Sequence, residues 1–182
     1  MQLSGRTILI TGGASGLGGA TVDMVVAQGA RAVVLDLNDD GGRAKEATHD
    51  GAVRFVNGDV TVEADVQRAI DLALTELGGI HGLVNAAGIP AAERVLPKDG
   101  VQPLRHFERV IRVNLIGTFN VIRLAGAAMA SNEPTAGGER GVIVNTASVA
   151  AFDGRDFESR GEKQGQGGLT TALERTTTLA GG

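Results

Sequence analysis

The chain has 182 residues, 42% of them hydrophobic and 21% charged, with a mean hydropathy of +0.06. That is one domain's worth of chain with enough apolar surface for a core, which excludes a disordered tail. Seventeen basic against 21 acidic residues give a formal charge of -4, and without a Lys/Arg run nucleic acid is not expected as a partner. Zero Cys excludes a disulfide scaffold, a thiolate metal site and a cysteine nucleophile, and no metal site is expected. The first apolar run starts at Arg6–Thr11, too near Met1 for a signal peptide, and no apolar stretch reads as a membrane helix. A cytoplasmic location is therefore expected. Two oddities stand out: 28 Gly, and no Tyr or Trp.

In chain order, Thr7-Ile8-Leu9-Ile10 reads as a strand that stops at the glycine loop Thr11-Gly12-Gly13-Ala14-Ser15-Gly16-Leu17-Gly18. A helix follows to Gln28, with Gly29 where a C-terminal cap belongs. Ala32–Leu35 is a second strand closed by Asp36, and Asp39-Asp40 reads as a solvated turn before a short helix over 43–48. A third strand falls at 53–56. The clearest helix is 62–77, where Val62, Val66, Ala69, Ile70, Ala73, Leu74 and Leu77 form one stripe and Thr61 stands at the N-cap position. Gly82-Leu83-Val84 is a fourth strand, running into Asn85-Ala86-Ala87-Gly88. Ile89–Pro103, with three of the four prolines, reads as loop, 107–129 as one long helix, and Val142–Val144 as a fifth strand.

Near-continuous apolar strands alternating with helices imply an α/β fold, a Rossmann-like doubly wound parallel sheet spanning residues 1–153. Residues 154–182 form a Gly/Thr-rich tail expected to be loosely packed, with a weak helix over 169–179.

A glycine loop between a first strand and a first helix is either a tight turn or a place where backbone approaches a pyrophosphate at the helix N-terminus. Asp36 lies at about the 20-residue spacing where an acid accepts hydrogen bonds from an adenosine ribose. An acid there repels a 2'-phosphate, so NAD is the expected cofactor rather than NADP.

The ordered motifs Thr11–Gly18, Asp59-Val60, Asn85-Ala86-Ala87-Gly88, Asn114 and Ser148 resemble the signatures of the short-chain dehydrogenase/reductase family. More narrowly, Val33–Leu37, Gly117–Leu124, Asn132-Glu133-Pro134 and Asn145–Phe152 resemble its type-2 3-hydroxyacyl-CoA dehydrogenase branch, over residues 3–154. The resemblance implies that Gly12, Ser15, Gly16, Leu17 and Gly18 serve the pyrophosphate side, with Asp36 and Leu37 at the adenosine ribose. It places Asp59 and Val60 beside the adenine, and Asn85, Ala86, Ala87 and Gly88 along the cofactor floor. Ser148 would bond the substrate oxygen and Asn114 would hold a relay water. A small-molecule substrate follows, a short acyl-CoA by the branch. The family pairs into homo-oligomers through the long helix and a second helix after the tyrosine and lysine; with only the first present, a weakened or heterogeneous oligomer with exposed apolar surface is expected.

The family's acid/base tyrosine and its lysine fall at Gly161 and Gly165. After Gly154 the pattern departs, so the Rossmann sheet is expected to be C-terminally incomplete. Two further readings therefore stand beside an NAD-dependent oxidoreductase: a non-catalytic NAD-binding remnant, and a chain too incomplete to fold alone. Ser148 lacks the Gly-x-Ser-x-Gly elbow of a hydrolase. His49, His81 and His106 have no metal-ligand spacing and read as surface histidines.

Overall fold

The computed structural model describes residues 2–90, 100–147 and, as backbone, 177–180. Its frame is a six-stranded sheet in the order β3-β2-β1-β4-β5-β6. The strands are β1 (Thr7–Thr11), β2 (Arg31–Asp36), β3 (Val53–Asn57), β4 (Gly82–Asn85), β5 (Glu139–Asn145) and β6 (Thr177–Ala180). The first five pair in parallel, whereas β6 joins β5 antiparallel across a register shift between Glu139 and Gly141. The fold is the expected Rossmann-like parallel sheet with helices on both faces.

Alternation along β1 and β2 explains why both faces are covered. Ile8, Ile10, Ala32 and Val34 point to one side and pack against Val22 and Val25 of α1 (Gly16–Ala27). Leu9, Val33 and Leu35 point to the other and meet Val66, Ile70 and Ala73 of α3 (Glu63–Glu76). That second cluster also takes in Val121, Ala125 and Met129, none of which is exposed, from α5 (Thr118–Ala130). Gly29, at φ +78, ends α1 as expected, with its N–H on the Val26 carbonyl and the N–H of Ala30 on that of Val25.

Several elements differ from the sequence reading. The second helix, α2 (Asp39–Thr48), begins at Asp39, not 43: the Asn38 side chain accepts from the Gly41 N–H and caps it. Asp39 and Asp40 thus occupy its first turn, where the positive end of the helix dipole favours them. Thr61 is not the cap of α3. Val62 holds that position, because Asp59 draws the Thr61 N–H onto its own carboxylate and makes an Asx turn ahead of the helix.

The long helix starts earlier, at Leu104, and runs as α4 (Leu104–Ile111), a π-helical segment (Arg112–Gly117) and α5. Contrary to the expectation from the sequence, this 27-residue stretch is long and apolar enough to cross a membrane by length and composition. Its C-terminal half is docked on the sheet instead. In the tail, residues 177–179 lie in a strand rather than a helix, consistent with the β-branched threonines there; 154–176 lie outside the described residues.

The histidines are not simply surface groups. Lys45 on α2 and His49, the residue that caps its C-terminus, both bond Asp23 on α1, at 2.8 Å for the His49 Nε2 contact. Hydrogen bonds from Lys45 and then His49 hold the Asp23 carboxyl below the usual range. His81, half-buried at the N-terminal edge of the sheet, accepts the Thr7 N–H on Nδ1 at 3.2 Å, so its proton sits on Nε2. Burial, then Arg6 and Arg31, push its pKa below 6.5.

Protonating His81 costs both that hydrogen bond and desolvation energy. Because the folded pKa lies below the unfolded 6.5, His81 contributes stability that is fully present above pH 6.5 and lost as pH falls through its folded pKa. The melting temperature is expected to drop over that window in a pH series, and the His81→Gln variant to show a shallower slope there. An unchanged slope in the variant contradicts the assignment.

Candidate functional site

The site is built at the C-terminal edge of the sheet, where β1 separates two halves of the chain. β1 pairs with β2 on one side and β4 on the other, so the loops that follow β1 and β4 leave in different directions and open a crevice. Thr11, Asn85 and Asn145 end β1, β4 and β5 in register. Their side chains form a polar row: the Thr11 hydroxyl lies 3.4 Å from Asn85 Oδ1, and Asn85 Nδ2 donates to Asn145 Oδ1 at 2.9 Å. The Thr11 hydroxyl also accepts the Ala87 N–H at 3.2 Å, and the Asn85 carbonyl accepts from the Thr146 hydroxyl and N–H. Asn85 is almost fully buried, so this bonding satisfies an amide that would otherwise be costly to enclose.

Within the glycine loop the glycines have different jobs. Gly12, at φ +69, lies against the next loop so closely that an added Cβ would sit 2.7 Å from the Ala87 nitrogen. Gly18 admits no side chain either, because the Gly12 carbonyl occupies that space. Gly16, at φ +54, faces open space. Ser15 is the N-cap of α1 with an extended backbone and makes no side-chain cap. The first turn of α1 thus starts at the crevice with exposed Ser15, Gly16 and Leu17, an arrangement that admits a phosphate to helix N–H groups.

Asp36 closes β2 beside this loop. Its Oδ2 accepts the Ala14 N–H at 3.0 Å and its Oδ1 the Asn38 N–H at 2.9 Å, so the carboxylate is pinned between the glycine loop and the cap of α2. Carboxylate lone pairs remain for a diol. Leu37, 68% exposed, stands next to it.

Asp59 and Val60 form a braced turn after β3. The Asp59 N–H bonds Asp65 Oδ2 at 2.9 Å, and this bond, ahead of the Arg68 pair, holds the Asp65 carboxyl below its ordinary value. Asn114, in the π segment, clamps the loop after β4: Oδ1 accepts the Ile89 N–H and Nδ2 donates to the Ile89 carbonyl, both at 2.9 Å. A π segment at such a place is a common mark of a functional position. Ala86 donates its N–H to the Thr11 carbonyl, and Gly88 would put a Cβ 3.3 Å from Asn114 Oδ1. Contacts tie Gly12 to Ala87, Asp36 to the glycine loop and Asn114 to the loop after β4, whereas Ser148 lies outside the described residues.

The sequence reading missed Thr11, Asn145 and Asn120. A signal existed for the first two, since both are polar residues ending otherwise apolar strands. Asn120 lies in the Gly117–Leu124 motif, but nothing in the sequence gives its side chain a role; its burial on α5 does. Among the described residues no group of His, Cys, Asp and Glu is arranged to hold a metal.

Replacing Gly12 by Ala is expected to cost about 1–3 kcal/mol from the left-handed backbone alone, more once the Cβ displaces the Ala87 backbone. Urea unfolding of the Gly12→Ala variant measures this, and a stability equal to that of the parent contradicts it.

The comparisons with known proteins agree with this geometry. The short chain dehydrogenase family model matches residues 6–175, running past Gly154 into the Gly/Thr-rich stretch. The chain is 48% identical over 178 residues to the 3-hydroxyacyl-CoA dehydrogenase type-2 of Bos taurus and 47% to that of Homo sapiens, covering 96% of this chain and 68% of each relative. Among solved structures, 3-hydroxyacyl-CoA dehydrogenase type-2 from Mycobacterium avium matches with a TM-score of 0.79 at 37% identity, over 85% of this chain. A 3-ketoacyl-(acyl-carrier-protein) reductase from Brucella melitensis complexed with NADH matches with a TM-score of 0.73 at 32% identity. This chain spans about 62% of the length of the first of these structures. By motif order, sheet topology and family match together, the chain belongs to the short-chain dehydrogenase family.

Proposed function

We propose that this chain binds NAD(H) and is an oxidoreductase acting between a secondary alcohol and a ketone, with a short 3-hydroxyacyl-CoA as the substrate class. The observation that carries the cofactor assignment is the Asp36 carboxylate, held 3.0 Å from the Ala14 N–H at the lip of the glycine loop. The similarity to proteins named as 3-hydroxyacyl-CoA dehydrogenases, and to a reductase structure complexed with NADH, supports the reading. The residues fit the cofactor: Ser15, Gly16 and Leu17 at the start of α1 suit its pyrophosphate, Asp36 its adenosine ribose, and Asp59 and Val60 its adenine. Asn85, Ala86, Ala87 and Gly88 underlie the nicotinamide end. A bound nicotinamide supplies hydride chemistry at C4.

Asp36 decides between the two nicotinamide cofactors. Its carboxylate puts a like charge where a 2'-phosphate would lie. Exposed apolar side chains on α4, the π segment and α5, namely Phe107, Leu115, Ile116 and Phe119, support pairing between copies across this helix.

A second reading is favoured by one observation: the chain has no Tyr, and the positions at which the family resemblance puts the acid/base tyrosine and its lysine are Gly161 and Gly165. A positioned acid contributes about 10²- to 10⁴-fold to such a reaction. Ser148 can orient the substrate oxygen, but an unassisted serine hydroxyl is too weak an acid to protonate it. The chain thus combines a cofactor-binding crevice with poor turnover, up to the limit of an NAD-binding protein that catalyses nothing.

Two measurements test these readings. Calorimetry is expected to show NADH binding more tightly than NADPH, with the Asp36→Ala variant narrowing the gap; equal affinities in the parent chain refute the cofactor choice. An NADH-linked assay with acetoacetyl-CoA is expected to give turnover at least about 10²-fold below that of a tyrosine-containing relative. Turnover within tenfold of such a relative refutes the impairment.

A further inference from the structure

Asn120 is one of only four buried polar residues among those described, with Thr7, Thr11 and Asn85. The other three end or begin strands, where the sheet accounts for them; Asn120 sits on α5 and reaches 60 residues back along the chain. Its Nδ2 donates to the Val60 carbonyl at 2.8 Å. Its Oδ1 accepts from Arg123, Nε at 3.1 Å and a terminal guanidinium nitrogen at 2.8 Å, and Arg123 in turn bonds Glu63 in the first turn of α3. An arginine can only donate, so the amide's orientation is settled: oxygen toward Arg123, nitrogen toward Val60.

This contact acts on a single peptide plane. The Val60–Thr61 peptide has its carbonyl held by Asn120 and its N–H held by Asp59 Oδ1 at 2.8 Å. The orientation of the Asp59 carboxylate is thereby tied to the same plane. An independent packing feature brings α5 close enough for the bond. At Gly117 an added Cβ would lie 2.6 Å from a Val60 methyl, so the helix can approach the turn only because residue 117 is glycine.

We propose that Asn120 is a positioning residue for the adenine end of the cofactor, acting through the Val60 carbonyl and, by way of that peptide, the Asp59 carboxylate. The proposal rests on the NAD(H) reading above. Arg123 and Glu63 serve it by fixing the amide's direction. Since Asn114 clamps Ile89 from the same continuous helix, residues 114–120 brace both the loop after β4 and the turn after β3.

The test uses the full chain and three ligands: NADH, AMP, and reduced nicotinamide mononucleotide, which lacks the adenosine. The Asn120→Asp variant keeps the size and the acceptor facing Arg123 but removes the donor to Val60. It is expected to weaken AMP and NADH binding about fivefold, the scale of one lost hydrogen bond, and to leave the mononucleotide's affinity unchanged. The Arg123→Gln variant, at a side chain 41% exposed and so tolerant of change, is expected to show a smaller loss with the same selectivity, and it carries the test if Asn120→Asp fails to fold. Equal losses for AMP and the mononucleotide, or none for AMP, overturn the proposal while leaving the NAD(H) reading standing. A parent chain that binds neither NADH nor AMP overturns both.

Discussion

No side chain fits between Gly12 and Ala87, and the geometry of the crevice follows from that close approach of two backbones. β1 pairs with both β2 and β4, and the loops leaving β1 and β4 must pass each other at once. A left-handed glycine lets them do so while Thr11 bonds the Ala87 N–H across the same gap. The start of α1, the Asp36 carboxylate and the Asn85 floor all take their positions from this crossing. A methyl group there would part the loops and separate the start of α1 from Asn85.

Around that crossing the sheet changes character along its length. Its middle is apolar on both faces, with Leu9, Ile10, Val33, Val34 and Leu35 essentially inaccessible to water. Its C-terminal edge is a row of hydroxyl and amide groups that satisfy one another. The apolar middle supplies the burial that drives folding, and the hydrogen-bonded polar edge ties the strand ends of the crevice together. That tie matters here because a site that orients a ligand loses much of its effect with small displacements.

The helix from Leu104 to Ala130 connects these regions to the surface. One face closes the core through Val121, Ala125 and Met129, and its polar positions Asn114 and Asn120 hold the two loops of the crevice. Other positions leave Phe107, Leu115, Ile116 and Phe119 exposed. A helix with apolar residues on more than one side has the hydropathy of a membrane span, although here the sheet and, on the reading proposed above, a second copy divide that apolar surface between them.

Strand and helix order, the parallel sheet and the crevice-lining motifs could be read from the sequence, because they depend on local periodicity and on glycines placed where only glycine fits. Apolar alternation at Ile8–Ile10 and Val33–Leu35, the stripe from Val66 to Ala73, and the acid at Asp36 are properties of short segments. The absence of any tyrosine is likewise read directly from the sequence. Competition between neighbours was not legible: that Asp59, rather than Thr61, organises the start of α3, or that Asn38 draws α2 forward to Asp39. Nor were partners distant in sequence. Asn120 differs from any helical asparagine only because folding brings Val60 within 2.8 Å of it, and His81 becomes a half-buried acceptor only because β1 lies beside it. Local sequence determines which segments form and which residue types are available. Only the tertiary structure decides which polar groups are removed from water and must find each other, because that depends on contacts between segments far apart in the chain.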